Sequence, residues 1–254
     1  MSQPLSIAHR GHSSAAPEQT MAAFSRAVGL RVDMLELDVR VSADGTLVLM
    51  HDRTVDRTTN GHGDVSAHTD EKLLSLDAGS WYSPEFADER VPLLSDAFEL
   101  AEASNIGLCI EVKGESHQEQ AALAVAIAHE LDARGRLKRD VVAGFDHAAL
   151  AEATRTVPGV RVAPDRLPER GKSTAGELID QAASAGATII QHHCDDLSRD
   201  VVDAVQAEGI AIWAWPATTR NQIHRMLELG VAGIMGDDAQ ALVELIGHHT
   251  ARRQ

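Results

Sequence analysis

Five residues have the types and placement to do chemistry together: His9, Glu36, Asp38, His51 and Glu111. Each lies at or beside the end of a short apolar run, where burying an unpaired charge would be costly. Glu36-Leu37-Asp38 has a spacing of two, so on a strand both carboxylates point to one side. Glu111-Val112-Lys113 repeats the arrangement with one acid and one base. Three carboxylates converging on one place repel each other unless a cation lies between them. An all-oxygen ligand set suits Mg²⁺ or Ca²⁺, whereas Zn²⁺ sites more often include His or Cys. The metal-free alternative is a salt-bridge cluster of the three acids with Arg10 and Lys113. Two imidazoles flanking those acids, His9 and His51, can serve as general base and general acid near neutral pH. The chain has 13 histidines, and most, such as His62, His129 and His224, are read as ordinary surface residues. His12, His192 and His193 are intermediate cases.

The elements that must position these residues alternate along the chain. Candidate strands are Leu5 to His9, Met34 to Val41, Ile106 to Val112, Val141 to Phe145, Val160 to Ala163, Thr188 to Gln191, Ile210 to Trp213 and Gly233 to Met235. Between them run amphipathic patterns with apolar residues at i, i+3 and i+4, from Met21 to Leu30 through to Ala239 to Ile246. The strands are short and almost continuously apolar, as strands buried on both faces are. Strand then helix, about eight times over, predicts a single (β/α)₈ TIM barrel spanning residues 1–254. A doubly wound open sheet is the alternative, but the glycine-rich turn after its first strand is absent. In a barrel of this kind the site lies at the C-terminal ends of the strands, where His9-Arg10, Glu36, Asp38, Glu111 and Lys113 fall.

Two segments break the rhythm. Val41 and Leu47 to Met50 flank Ser42-Ala43-Asp44-Gly45, a connection too short for a parallel crossover, so a hairpin is expected. A turn centred on Asp44-Gly45 would place Asp38 roughly opposite His51. Asp52 to Pro92 is too long for a plain loop and carries Trp81, Tyr82 and Phe86, so it reads as a small insertion subdomain over the mouth. The tail from Gly247 to Gln254 reads as frayed.

Composition limits the partners. A formal net charge of −15 with no Lys/Arg run makes nucleic acid an unsuitable partner. The same field would repel an anionic ligand, so an anion site would need local cations or a metal. Aromatics make up 3% of the chain, which leaves little for stacking bases. Cys109 sits inside an apolar run and, with Cys194, makes no disulfide framework. No apolar run approaches the roughly 20 residues of a membrane span, and the start lacks a basic stretch followed by an apolar one. A cytoplasmic protein without stable membrane insertion is expected.

These residues also carry a resemblance. His9-Arg10-Gly11 followed by Pro17-Glu18-Gln19-Thr20 is similar to the opening block of glycerophosphodiester phosphodiesterases. Glu36-Leu37-Asp38-Val39, Asp44-Gly45-Thr46-Leu47-Val48 and His51-Asp52 resemble the second block, and Ile110-Glu111-Val112-Lys113 a third. Thr58 to Gly63, Asp77 to Trp81 and Val91 to Leu94 resemble the insertion and the re-entry to the barrel. The resemblance implies a (β/α)₈ enzyme that cleaves glycerophosphodiesters, small molecules, to glycerol 3-phosphate and an alcohol. It implies that Glu36, Asp38 and Glu111 bind the divalent ion and that His9 and His51 form the acid–base pair. Arg10, Lys113, Glu18 and Trp213 are then phosphate- and substrate-binding residues.

The second half departs from the family pattern. Gly144-Phe145 stands for Ser-Phe, Trp213-Ala214-Trp215-Pro216 for Trp-Thr-Val-Asn, and Gly236-Asp237 for Thr-Asp, while Gln19 replaces Asn. These changes bear on substrate preference. Trp215 is read as core packing in preference to a wall for a bulkier leaving group. Other classes are a barrel that binds phosphate ligands without turnover, and a lysophospholipase D-type phosphodiesterase. A metal amidohydrolase is disfavoured, because His9 and His12 lack the spacing of its opening histidine pair.

Overall fold

Strands of almost wholly buried residues, each followed by a helix with one apolar face, close on themselves in the computed structural model, which describes residues 3–166 and 173–251. The elements are β1 (Leu5–His9), α1 (Met21–Gly29), β2 (Met34–Val41), β3 (Leu47–Leu49), α2 (Asp70–Ser75), α3 (Leu94–Ser104), β4 (Gly107–Val112) and α4 (His117–Ala133). They continue with β5 (Val141–Gly144), α5 (His147–Thr156), β6 (Val162–Pro164), α6 (Ala175–Ala185), β7 (Ile189–His193) and α7 (Arg199–Ala207). The last are β8 (Ala211–Trp215), α8 (Arg220–Leu229), β9 (Gly233–Gly236) and α9 (Ala239–Ala251). Strand order is β6-β5-β4-β2-β1-β9-β8-β7, all parallel, and a single parallel bridge from Asp165 to Gln191 joins β6 to β7. This is a nearly closed TIM barrel of eight parallel strands with helices between. Strand ends differ from the expected ones by at most two residues. The C-terminal segment expected to fray is helical as far as Ala251, and residues 252–254 lie outside the described residues.

Local chemistry sets the helix ends. Thr20, Ser116 and Asp146 cap α1, α4 and α5 by accepting a backbone N–H, and Thr174 with Glu177 and Thr219 with Gln222 form reciprocal capping boxes. The helices bury their apolar faces against the outside of the barrel. Inside it, Ile7, Met34, Cys109, Val141, Ala143, Ala163, Ile189, Trp213 and Met235 fill the space between the strands.

Trp213 is therefore a barrel filler and is only 2% exposed, which corrects its assignment to the substrate. It lies two residues below the end of β8, with its indole over Gly233 of β9. A Cβ at Gly233 would stand 2.7 Å from Trp213 Cδ1, so the ring and the glycine complement each other. Trp213→Ala is expected to cost about 3–5 kcal/mol of stability. Urea unfolding at equilibrium checks this; a loss under about 1 kcal/mol would contradict the filler role.

The hairpin forms, one residue out of the expected register. Val39 pairs with Leu49 and Val41 with Leu47, and Ser42 N–H donates to Thr46 O at 2.9 Å. The turn is thus centred on Asp44 alone. Met50, whose N–H donates to Asp38 O at 3.0 Å, lies opposite Asp38, and His51 follows one residue later. Beyond it, Met50, Val55, Val65, Leu73, Leu76, Ala78 and Val91 pack together with Val48 of β3. Phe86 is buried against Ala16 and Ala23, whereas Trp81 and Tyr82 are 41% and 37% exposed.

Candidate active site

The mouth of the barrel collects the chemistry because the strand ends deliver it there. β1 ends at His9, which is in register with Glu36 of β2, and Asp38 of β2 is in register with Glu111 of β4. After His9 the chain turns sharply, with Arg10 at φ 55 and Gly11 at φ 83. A Cβ at Gly11 would lie 2.7 Å from the carbonyl carbon of Ala23, so only glycine fits this close passage over α1. The turn aims Arg10 N–H at Glu36 Oε2, at 2.9 Å.

Glu36 is 2% and Asp38 0% exposed, and ligand oxygens of Glu36, Asp38 and Glu111 all lie within 4.8 Å of one another. Lys113 Nζ pairs with Glu111 Oε1 and stands 3.0 Å from Asp38 Oδ1, while Arg10 Nε is 3.3 Å from Asp38 Oδ2. Gln19 donates its amide N–H to Asp38 Oδ2 at 2.7 Å. The two cations serve Asp38 and Glu111 but leave Glu36 Oε1 buried with no donor. Asp38 Oδ1 has the Lys113 ammonium 3.0 Å away, so Glu36 Oε1 is the bare oxygen of the three carboxylates. Bare buried oxygens of this kind are costly without a cation. Burial and the neighbouring Asp38 push the Glu36 carboxyl up to about 8. Burial also works against Asp38, yet Lys113 and Arg10 hold it down at about 2. The three carboxylates therefore have the donor set and the unmet charge that a hard divalent cation fits.

Each candidate histidine has a carboxylate behind it. His9 Nδ1 is 2.7 Å from Asp237 Oδ1, and its Nε2 is 3.9 Å from Glu36 Oε2. His51 Nδ1 is 2.7 Å from Asp52 Oδ1. Burial lowers the pKa of His9, but Asp237 and Glu36 more than compensate, so the net shift is upward. Burial also lowers His51, and there the nearby Asp38 does not overcome it, with Lys113 and Arg10 adding to the downward shift.

The remaining expected residues separate. Glu18 accepts from Arg10 Nη1 at 2.9 Å and spends both oxygens on Arg57, so it orients guanidiniums. Trp215, read as core, ends β8 at the mouth, half-buried, with its ring edge-on to Phe145 and His193 at centroid distances of 5.9 Å. His192 points away and meets Ser173 Oγ at 2.7 Å. His12 accepts from the first N–H of α9, at Ala239. His193, Cys194 and Asp195 also cluster, but burial and Asp195 push the Cys194 thiol up to about 12, and it donates to Pro216 O.

Asp237, Asp52 and Arg57 were not among the expected site residues. Asp52 was legible as the neighbour of His51; Asp237 was visible only within the Gly236-Asp237 block, and its pairing with His9, 228 residues away, was not. Asp165, 2% exposed just past β6, also faces the acidic cluster, and burial followed by Glu111 pushes its carboxyl well up.

Comparison with known proteins places this geometry. A sequence model of the glycerophosphoryl diester phosphodiesterase family matches residues 9–241. The glycerophosphodiester phosphodiesterase of Caldanaerobacter subterraneus subsp. tengcongensis is 32% identical, over 95% of this chain and 97% of its own. Among solved structures, an Oleispira antarctica phosphodiesterase in complex with the product sn-glycerol-3-phosphate superposes with a TM-score of 0.87 at 25% identity, covering 96% of this chain and 97% of that one. A glycerophosphodiester phosphodiesterase from Agrobacterium tumefaciens gives 0.80 at 27% identity, over 94% and 98% of the two chains. With matches that run almost the whole length of the barrel, the chain belongs to the glycerophosphoryl diester phosphodiesterase family.

Proposed function

We propose that the protein hydrolyses glycerophosphodiesters to glycerol 3-phosphate and an alcohol, using a divalent metal and a pair of histidines. The observation that carries this reading is the joint placement of two carboxylate-backed imidazoles beside three clustered carboxylates, two of them buried and one of those with a bare oxygen. Glu36, Asp38 and Glu111 would hold the metal, Mg²⁺ or Ca²⁺ by their hard-oxygen chemistry. When bound, such an ion would neutralise phosphodiester oxygens and stabilise the charge that builds on them.

The chain's own residues do the rest. Arg10 and Lys113 supply cationic donors to the phosphate, which the net charge of −15 would otherwise repel. Asp237 and Asp52 fix each imidazole through Nδ1 and so leave Nε2 to exchange protons with substrate. His9, between Asp237 and Glu36, is the better placed to carry a proton and acts as general acid on the leaving alkoxide. His51, facing Lys113 and Arg10, stays neutral and acts as general base. The base takes a proton from the glycerol hydroxyl beside the phosphate; attack expels the alcohol and leaves a cyclic phosphate, which water then opens. A deoxy substrate lacking that hydroxyl tests this route, since full activity on it would require direct attack by water.

We also take residues 1–254 as one domain in which 52–92 form a subdomain, supported by the apolar centre this segment has of its own. Among the described residues no helix is long and apolar enough to cross a membrane. The phosphodiester reaction is tested by release of glycerol 3-phosphate from glycerophosphocholine, glycerophosphoethanolamine and glycerophosphoglycerol. Release with Mg²⁺ or Ca²⁺ that excess EDTA stops is the expected result, and the ranking of substrates reads the Trp215 wall. Release unaffected by EDTA would remove the metal from the proposal, and no release from any of the three would overturn it.

A further inference from the structure

The insertion returns one cation to the barrel mouth. Arg57 donates through Nε to Asp52 Oδ2 at 2.6 Å and through Nη2 to Asp52 Oδ1 at 3.1 Å. The other edge of the same guanidinium donates through Nη1 to Glu18 Oε2 at 2.9 Å and through Nη2 to Glu18 Oε1 at 2.8 Å. Each carboxylate in turn holds one working side chain. Asp52 Oδ1 meets His51 Nδ1 at 2.7 Å, and Glu18 Oε1 accepts from Arg10 Nη1 at 2.9 Å. We infer that Arg57 is a positioning residue that sets the proton-transferring His51 and the phosphate-binding Arg10 in fixed relation to one another. The inference rests on the roles given to those two residues above.

The geometry needs a guanidinium. Glu18 lies on the loop between β1 and α1, and Asp52 on the chain leaving the β2–β3 hairpin. Backbone connectivity does not fix the distance between these two loops, and their two carboxylates repel. A planar fork of five N–H donors can grip both side-on at once, whereas an ammonium is a point charge that fixes neither direction. Hydrogen bonds from Arg57 hold the Asp52 carboxyl well below the usual carboxylate range. Burial opposes the ionised form of Glu18, yet Arg57 and Arg10 hold its carboxyl low. Both acids thus stay ionised acceptors. With a side chain 45% exposed, Arg57 adds little to stability. Its effect is on direction, and a shift of about 1 Å at reacting groups costs on the order of 100-fold in rate.

The experiment compares wild type with Arg57→Ala, Arg57→Lys, Asp52→Asn, Glu18→Gln, the Asp52→Asn/Glu18→Gln double variant and that double variant with Arg57→Ala added. Two quantities are read: kcat on glycerophosphocholine, for the His51 side, and the dissociation constant of glycerol 3-phosphate by calorimetry, for the Arg10 side. Arg57→Ala is expected to lower kcat about 100-fold and to weaken product binding as well, with an unfolding midpoint close to wild type. Asp52→Asn should move mainly kcat, and Glu18→Gln mainly product binding. Millimolar guanidinium should restore part of both quantities in Arg57→Ala and neither in the carboxylate variants. Arg57→Lys, which keeps the charge and the fold but not the fork, should stay impaired. Adding Arg57→Ala to the double variant should change little, because Arg57 acts only through those two acids.

Both constants of Arg57→Ala within about twofold of wild type would overturn the inference. So would full activity in Arg57→Lys, or an undiminished effect of Arg57→Ala in the double variant. An inactive wild type would defeat the proposed reaction and leave product binding to decide on Arg57, where an unchanged constant in Arg57→Ala counts against it.

Discussion

Glu36→Ala and Glu111→Ala are each expected to abolish hydrolysis and metal uptake together. Glu36 Oε1 is the bare buried oxygen of the cluster, and Glu111 contributes the oxygen that closes the set from the neighbouring strand. On the proposed ligand set, losing either one removes one of three carboxylates from the metal. The rate should fall by at least about 10³-fold, the kinetic equivalent of several kcal/mol of transition-state stabilisation. The isosteric Glu36→Gln separates function from folding. It keeps an oxygen for Arg10 N–H while removing a charge that its buried neighbours oppose, so the metal-free protein should be no less stable than wild type. Calorimetric titration with Mg²⁺ and Ca²⁺, alongside turnover and thermal unfolding, reads all three quantities. Undiminished metal affinity in Glu36→Ala would remove Glu36 from the ligand set.

His51→Ala should behave differently, sparing metal affinity and lowering turnover by about 10²–10⁴-fold. The pH profile of the wild type follows from the two shifts. His9 is raised from 6.5, so it keeps its proton past that value and loses it as pH rises through a higher one. His51 is lowered from 6.5, so it is already neutral at that value and protonates only as pH falls through a lower one. With His9 as acid and His51 as base, the active form lies between the two, and kcat/KM should be bell-shaped around 6.5 with an acid limb below and a basic limb above. In His51→Ala the acid limb should disappear while the basic limb remains. If instead the basic limb is lost, the two roles are exchanged; loss of metal binding in this variant would place His51 among the ligands.

The barrel and its principal acids and histidines were legible because two simple rules act together. Period-two spacing puts Glu36 with Asp38, and Glu111 with Lys113, on one side of their strands, and strand ends in a barrel share one mouth. Depth within the barrel obeys neither rule. Trp213 and Trp215 have the same parity on β8, so alternation cannot say which fills the interior and which reaches the mouth. That depends on Gly233 across the sheet, which leaves room for the lower ring. Partnerships between distant loops are also beyond periodicity. Asp237 reaches His9 only because β9 closes against β1, and Arg57 lies in a segment with little regular structure. The hairpin lies one residue from the expected register because its turn holds an odd number of residues, and only the closing hydrogen bond from Ser42 to Thr46 reveals that.

That turn has an evolutionary consequence. Side chains alternate faces along β3, so its register against β2 decides which of them join the apolar centre of the insertion: Val48 does, while Leu47 and Leu49 pack on the helix side. A slip of β3 by one residue against β2 would turn Val48 away from that centre and Leu49 into it. Extra residues accommodated within the turn, with Val39 still opposite Leu49, would leave both faces unchanged. The turn can therefore change in length where the ladder is held, but its composition is constrained by Gly45 at φ 87 and by Ser42 Oγ, which accepts from the N–H groups of Asp44 and Thr46.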